Sequence, residues 1–562
     1  MTMRLTRTAL STAIALATMA ALNVPDTGHH NESAAVLPTA DSTVVASAPQ
    51  ARSVILPKAD EALYTNAKDV EHKMAPAVAR LAQSGSTEPV KIVIEAADDA
   101  VVERLASLGV PAAAIQRYAA LPYLAVEIGA NELGYLAAND EVLFVSLDSE
   151  VEASWYGNSG GYYGGGSYYS SSSYSSSQSQ SQAIAHRVAN ALLPSEVHVN
   201  GQIGVAVIDS GVANNVDIDY LVSRHVDFVS NSRRCKKRGC DEFGHGTHVA
   251  GAIAGDGYFT PQKYFDGIAP YARVTSLRVL DHKGRGSVST VLSAIDWLLS
   301  QGRSHGIRVV NMSLGKAVET KAARDPLVQG VNRLWDAGFV VIASAGNYGR
   351  DGNFTITSPG NARKIITVGS LTYAGTTDVA DDHVSTYSSR GPTLFDHVIK
   401  PDLIAPGNRI VATSAGGSVL KNGPRGAKRD RPPANGYFDE ELYMELSGTS
   451  MAAAIATGAA VLMLSREPHL SPATVKARLM RSARKVPYGT LHTGAGVLDI
   501  RAALNDRGVV YGDALSPRIE RSPDGSKVFI EDPAALWGSS QFGANRIWSD
   551  SYLWSDRAVS GD

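Results

Sequence analysis

A chain of 562 residues is too long for a single hydrophobic core, so two or three domains are expected. Its 44% hydrophobic and 19% charged residues are ordinary for a globular protein. A formal net charge of −3 without a sustained basic stripe argues against nucleic acid as a partner.

Residues 1–22 place Arg4 and Arg7 ahead of an apolar run with small residues near its end, the pattern of a secretory signal peptide. The run is shorter than the ~20 apolar residues that span a bilayer, so no transmembrane segment is expected after its removal. Residues 23–87 are rich in Ala, Ser and Thr and show no clear period beyond a helical pattern near 70–82. From 88 to 153 the pattern sharpens into a strand over 90–96, a helix over 99–108, a strand over 119–128 broken at Pro122, a helix over 131–138 and a strand over 141–151. That succession reads as a βαββαβ unit of ferredoxin-like, α+β type. Residues 154–183 form a Gly/Tyr/Ser/Gln-rich linker, too poor in aliphatic side chains to bury a core and open to cleavage, with processing expected between about 152 and 183.

Between 184 and 505 strands and helices alternate. Apolar runs at 203–209, 274–280, 307–312, 339–344 and 365–369 read as buried strands, and 291–301, 327–337 and 452–465 as helices. Ser471-Pro472 opens a further helix, with serine as N-cap and proline at the first helical position. The fold class is therefore α/β, a mainly parallel sheet with helices on both faces. Asp209 and Asn347 fall at or just past strand ends, where active sites of such sheets lie. Cys235 and Cys240 enclose Lys-Lys-Arg-Gly and are expected to pair in an oxidising compartment, for about 2 kcal/mol. Residues 506–562 form a tail containing Trp537, Trp548 and Trp554.

The chemistry gathers in three stretches. Val207-Ile208-Asp209-Ser210-Gly211 is an apolar strand ending in a carboxylate, and Gly244-His245-Gly246-Thr247-His248 opens a small-residue helix. Ser447-Gly448-Thr449-Ser450-Met451-Ala452 sets a serine at the N-terminus of another helix, where free N–H groups and the positive end of the dipole can hold an oxyanion. Together, in the order Asp, His, Ser, these motifs closely resemble the subtilisin-like serine peptidases, or subtilases, over residues 203–503. The unit before them resembles the inhibitory propeptide of that family.

The resemblance implies that Ser450 attacks a peptide carbonyl, that His245 moves its proton to the leaving amine, and that Asp209 orients His245. The Asn347 side-chain amide and the Ser450 N–H would hold the oxyanion. Ser313, Leu314 and Gly315 would pair with an extended substrate, and Thr357 would help to floor the primary pocket. Residues 283–287 read either as a glycine-rich surface turn or as the facing strand, on which Arg285 would favour an acidic substrate residue. His248 reads as a packed histidine. A zinc site built from both histidines lacks the Glu of His-Glu-x-x-His and a third ligand, so no metal site is assigned. Catalysis needs no cofactor, and structural calcium stays open. Two features depart from the family: Ala454 stands where proline is usual, and the insertion over 416–445 is long, a solvated loop or a lid.

The expected function is that of a secreted, extracellular serine endopeptidase, with periplasm or cell surface left open, acting on proteins or peptides through an acyl-enzyme. Its own propeptide would be its intramolecular inhibitor. The alternative is a catalytically inactive scaffold that binds or adheres through the Tyr/Ser tract and the Trp-containing tail. An α/β-hydrolase needs an acid and then a histidine after the serine, but between Ser450 and His492 the sole acid is Glu467, two residues from His469.

Overall fold

The computed structural model describes residues 70–155, 199, 201–230, 232–257, 265–373, 381–422, 442–521 and 528–530. The expected signal peptide, residues 156–183 of the Tyr/Ser linker, the middle of the long insertion and the three tail tryptophans lie outside them.

The first module runs α1 (Pro76–Gln83), β1 (Pro89–Ala96), α2 (Ala100–Ser107), β2 (Gln116–Arg117), β3 (Tyr123–Gly129), α3 (Leu133–Ala137) and β4 (Val142–Leu147). Its sheet has the order β2-β3-β1-β4, with β1 antiparallel to both β3 and β4. The period-2 alternation of β1 gives this sheet two dry faces. Ile92 and Ile94 join Leu124, Val126, Leu133 and Leu136 in a core of their own, whereas Val93, Tyr123 and Ala125 belong to the core of the larger domain. The module's core also takes in Val70, Met74 and Val78, and so extends upstream of residue 88.

One expected element is in fact two. The run read as a strand over 141–151 breaks after β4, and the chain re-enters extended structure as β5 (Glu150–Ala153). Asp148 sits at the break, accepting hydrogen bonds from Ser289 N and Ser289 Oγ, both at 2.7 Å. This anchors the chain to the larger domain and aims β5 away from its own sheet. Tyr118 Oη donates to Ser289 O at 2.9 Å, and Ala120 N to Asp296 Oδ1 at 2.6 Å, adding to the same contact.

The larger domain contributes β6 (Gly204–Asp209), β7 (Val222–Asp227), α4 (Arg233–Arg238), α5 (His245–Ala254), β8 (Arg273–Arg278), β9 (Arg285–Ser287), α6 (Val288–Gln301), β10 (Ile307–Met312), β11 (Leu314–Gly315), α7 (Pro326–Asp336), β12 (Val340–Ser344), β13 (Ile366–Thr372), β14 (His383–Val384), β15 (Leu403–Pro406), β16 (Ile410–Thr413), β17 (Tyr443–Leu446), α8 (Thr449–Arg466) and α9 (Pro472–Ser482). Its main sheet has the order β14-β13-β12-β10-β6-β8-β7, with β15 on β13, and is parallel except at β14. Strand order reverses between β8, β6 and β10, so Asp209 ends the strand at the switch point, where doubly covered sheets place their ligands. The N-cap of α9 is Ser471, whose side chain accepts from Thr474 N, with Pro472 at the first helical position.

Helix α8 is buried on every side from Thr449 to Leu464. Its run of Ala and Gly lets it lie close against α5 and the central strands, and a helix apolar all round is a core helix. It is long and apolar enough to cross a membrane, but 89% of that stretch is buried inside the fold.

The beginning of the tail belongs to this domain. Lys400, Asp402, Lys476 and Ser516 form a fully buried cluster. Lys400 Nζ donates to Asp402 Oδ2 at 2.6 Å, Lys476 Nζ lies 3.5 Å from Asp402 Oδ1, and Ser516 Oγ donates to Asp402 Oδ1. Burial opposes charge on Asp402, but Lys400 and Lys476 hold its carboxyl below the usual range. Burial brings Lys476 down to about 7. Asp402→Asn removes the buried counter-charge of Lys400 and Lys476, so it is expected to destabilise the fold by about 3–5 kcal/mol, read as a lower urea midpoint with an unchanged slope.

Candidate active site

Asp209 Oδ1 accepts from His245 Nδ1 at 2.8 Å and from Ser210 N at 2.7 Å, with both Asp209 and His245 fully buried. An ionised carboxylate can only accept, so the Nδ1 of His245 donates to Asp209 and its Nε2 turns the other way. That Nε2 is buried and has no hydrogen-bond partner among the described residues.

Two glycines allow this approach. A Cβ on Gly246 would lie 2.1 Å from Gly211 O, so the first turn of α5 meets the turn after Asp209 backbone to backbone. Gly211 itself has φ +109°, and a Cβ there would lie 2.0 Å from Cys240 O. Cys240 is joined to Cys235 in a disulfide with Cα atoms 4.8 Å apart, so the stapled loop abuts the turn that follows Asp209.

Asp241 and Ser210 were not singled out from the sequence. The Asp241 carboxylate accepts from Gly244 N at 2.7 Å, Thr247 N at 2.8 Å and Thr247 Oγ1 at 2.7 Å, capping α5, and Ser210 Oγ donates to it at 2.8 Å. Ser210 Oγ also accepts from Gly246 N at 2.9 Å. Burial pushes the Asp241 carboxyl up against these bonds. The available signal was an acid a few residues ahead of a helical run, the mark of an N-terminus. His248 packs as expected: its Nε2 lies 3.0 Å from Ile410 O, and burial takes its pKa down to about 3, so it stays neutral.

Ser450 lies in the first turn of α8. Its hydroxyl is not paired with His245. It lies 2.5 Å from Ser154 O and 3.1 Å from Ser313 O, and the Ser450 N–H donates to Ser154 O at 3.3 Å. Asp209 and His245 are therefore brought together, while the Ser450 hydroxyl contacts the Ser154 and Ser313 carbonyls instead.

Asn347 follows β12. Its Oδ1 accepts from Thr449 N at 3.0 Å and Thr449 Oγ1 at 3.1 Å, and Thr449 Oγ1 accepts from Gly346 N at 3.2 Å. With the oxygen held there, Nδ2 is the free end of the amide, buried and without a partner among the described residues. A buried donor left unpaired at rest is what an oxyanion site requires.

The cleft is occupied by β5. It lies between β11 and β9 in a three-stranded antiparallel sheet, with Leu314 opposite Ala153, Gly315 opposite Glu152, and Arg285 opposite Glu152 on the other side. Ser154 N donates to Ser313 O at 3.0 Å and Ala153 N to Gly284 O at 3.0 Å. Residues 283–287 thus supply a facing strand, not only a surface turn. Val151 is fully buried, and the Trp155 ring meets Phe243 edge to face at 6.2 Å, with Phe243 6.3 Å from His245. Thr357 donates from its backbone N to Ala345 O at 3.1 Å, and Cβ atoms added to Gly315 or Gly346 would collide with its side chain. Gly315 and Gly346 therefore both lie close against Thr357.

Among the described residues, Cys235, Cys240 and Glu242 come close enough together to hold an ion, but both sulfurs are spent in the disulfide.

The family model described as the Subtilase family matches residues 200–497. Serine protease AprX of Bacillus subtilis (strain 168) is 33% identical over 315 residues, covering 54% of this chain and 67% of that protein. Subtilisin DY of Bacillus licheniformis is 30% identical over 302 residues, covering 54% of this chain and 90% of its own. Among solved structures, fervidolysin from Fervidobacterium pennivorans, a keratinolytic enzyme related to subtilisin, aligns with a TM-score of 0.55 at 21% identity, over 75% of this chain and 62% of that one, which establishes a shared fold. With the family match lying across the strands and helices that carry Asp209, His245, Asn347 and Ser450, the chain belongs to the subtilase family.

Proposed function

We propose that the chain is an exported serine endopeptidase made as a precursor, with its first module as inhibitor and its own Ser154–Trp155 peptide bond as its first substrate. The observation that carries this reading is the position of the Ser154 carbonyl, whose oxygen is contacted by both the backbone N–H and the hydroxyl of Ser450. A strand held from both sides, with its carbonyl at the helix N-terminus, is a peptide in near-attack register.

In this reading Ser450 Oγ adds to the Ser154 carbonyl carbon as His245 Nε2 takes the hydroxyl proton. Asp209 holds the Nδ1–H and stabilises the imidazolium. The carbonyl oxygen becomes an oxyanion that draws on the Ser450 N–H and on the unpaired Asn347 Nδ2. The C–N bond then breaks, His245 returns the proton to the Trp155 nitrogen, and the acyl group stays on Ser450 Oγ as an ester. A water deprotonated by His245 hydrolyses that ester and frees the Ser154 carboxylate. The same steps apply to a protein substrate lying in place of β5.

Until residues 70–154 leave, the cleft stays filled, which is how the module inhibits. Labelling with a fluorophosphonate, followed by peptide mapping, tests the reading. Wild type should carry one phosphonyl group on Ser450 and hydrolyse unfolded proteins, and His245→Ala should do neither. A protein that takes up no label after the module is gone would be a scaffold.

A further inference from the structure

We infer that Arg285 makes this cleft selective for acidic segments, reading a carboxylate on the third residue before the scissile bond and, more weakly, on the fifth. The inference rests on the endopeptidase reading above and adds the class of substrate.

Side chains along β5 alternate, so Val151 turns into the core while Glu150 and Glu152 share the opposite face. Counting back from the Ser154 carbonyl, Glu152 is third and Glu150 fifth. Arg285 is the cross-strand partner of Glu152, its Nε 3.4 Å from Glu152 Oε1 and 3.6 Å from Glu150 Oε1. Opposite charges directly across an antiparallel pair attract, and like charges there repel. Lys316, beyond β11, is engaged with Glu319 at 3.3 Å and Asp325 at 3.8 Å, so it is spent on the cleft's own acids.

Two further observations support the pairing. Glu152 is half-buried, and burial pushes its carboxyl up while Arg285 pulls it back toward the charged form. Tyr348, just after Asn347, has its phenol raised by burial and then by the charge of Glu152. The backbone of Arg285 is fixed as well, its N–H donating to Asp281 Oδ1 at 3.0 Å. The subsite is thus a positioned guanidinium on a strand, and it faces an incoming peptide just as it faces β5. The preferred substrate is an extended acidic segment with an apolar residue fourth, like Val151, and small residues second and first, like Ala153 and Ser154.

The test uses the self-processed enzyme and two internally quenched peptides, Glu-Val-Glu-Ala-Ser-Trp and its counterpart with Lys at the third residue before the cut. At about 0.05 M NaCl wild type should show a kcat/KM about fivefold higher for the Glu peptide, the upper range for a partly exposed ion pair. Arg285→Glu should invert the preference, and about 1 M NaCl should flatten it in both enzymes. Equal use of the two peptides by both enzymes, or a preference indifferent to salt and to R285E, would overturn the charge selectivity while leaving the endopeptidase reading in place. Hydrolysis of neither peptide by a protein that also refuses a fluorophosphonate would overturn both.

Discussion

Ser450→Ala is expected to leave the precursor uncleaved, with self-cleavage slowed about 10⁶-fold, the size of loss known for a subtilisin stripped of its nucleophile. The strand that ends at Ala153 is already held between β11 and β9, and the Ser154 carbonyl already receives the Ser450 N–H. Removing the hydroxyl therefore leaves binding and part of the oxyanion site untouched and deletes the one atom that can form the ester. What remains is attack by water, helped by position alone. Because hydroxyl and base act as a unit, His245→Ala should fall nearly as far, and the double variant scarcely farther. Time courses of precursor by gel and intact mass measure this. Similar cleavage rates in wild type and variant would mean that another protease does the cutting.

Asn347→Leu is expected to lower kcat by about 10² to 10³ with KM nearly unchanged, a magnitude known from the corresponding donor of subtilisin. The side chain is set up for one partner that no described residue provides. Oδ1 is taken by Thr449 N and Thr449 Oγ1, and Nδ2 is left buried and bare. A donor idle in the ground state and used in the transition state lowers the barrier without tightening substrate binding. Leucine keeps the volume and removes the N–H. A raised KM with kcat preserved would instead place Asn347 in substrate binding. Thr449→Val should reproduce part of the kcat loss, since it frees the amide to rotate.

The positions of the residues proposed as catalytic were legible because each lies where local sequence dictates its place. Asp209 ends an apolar strand at a glycine turn, His245 and Ser450 open helices of small residues, and Asn347 follows a buried strand. Strand and helix positions in the larger domain follow the apolar runs to within a few residues for the same reason. What sequence could not give were the features made by distant segments meeting. The split of residues 141–151 into β4 and β5 depends on Asp148 finding Ser289, and no local period records that. Likewise Ser516 reads as an ordinary tail serine until it meets Asp402 and Lys476 in the core. Residues 283–287 held two readings open, and the choice came from β5 supplying the partner strand. Ala454, where the family usually has proline, lies fully buried within α8, which begins at Thr449 without it.

The most direct measurement is the N-terminal sequence of the purified protein, with intact masses of both fragments, for wild type and Ser450→Ala side by side. The expected result is a larger fragment beginning at Trp155, a smaller one ending at Ser154, and an intact junction in the variant. A wild-type protein that begins elsewhere, or a variant cut at the same bond, would contradict the placement of the Ser154 carbonyl as the first bond that Ser450 attacks.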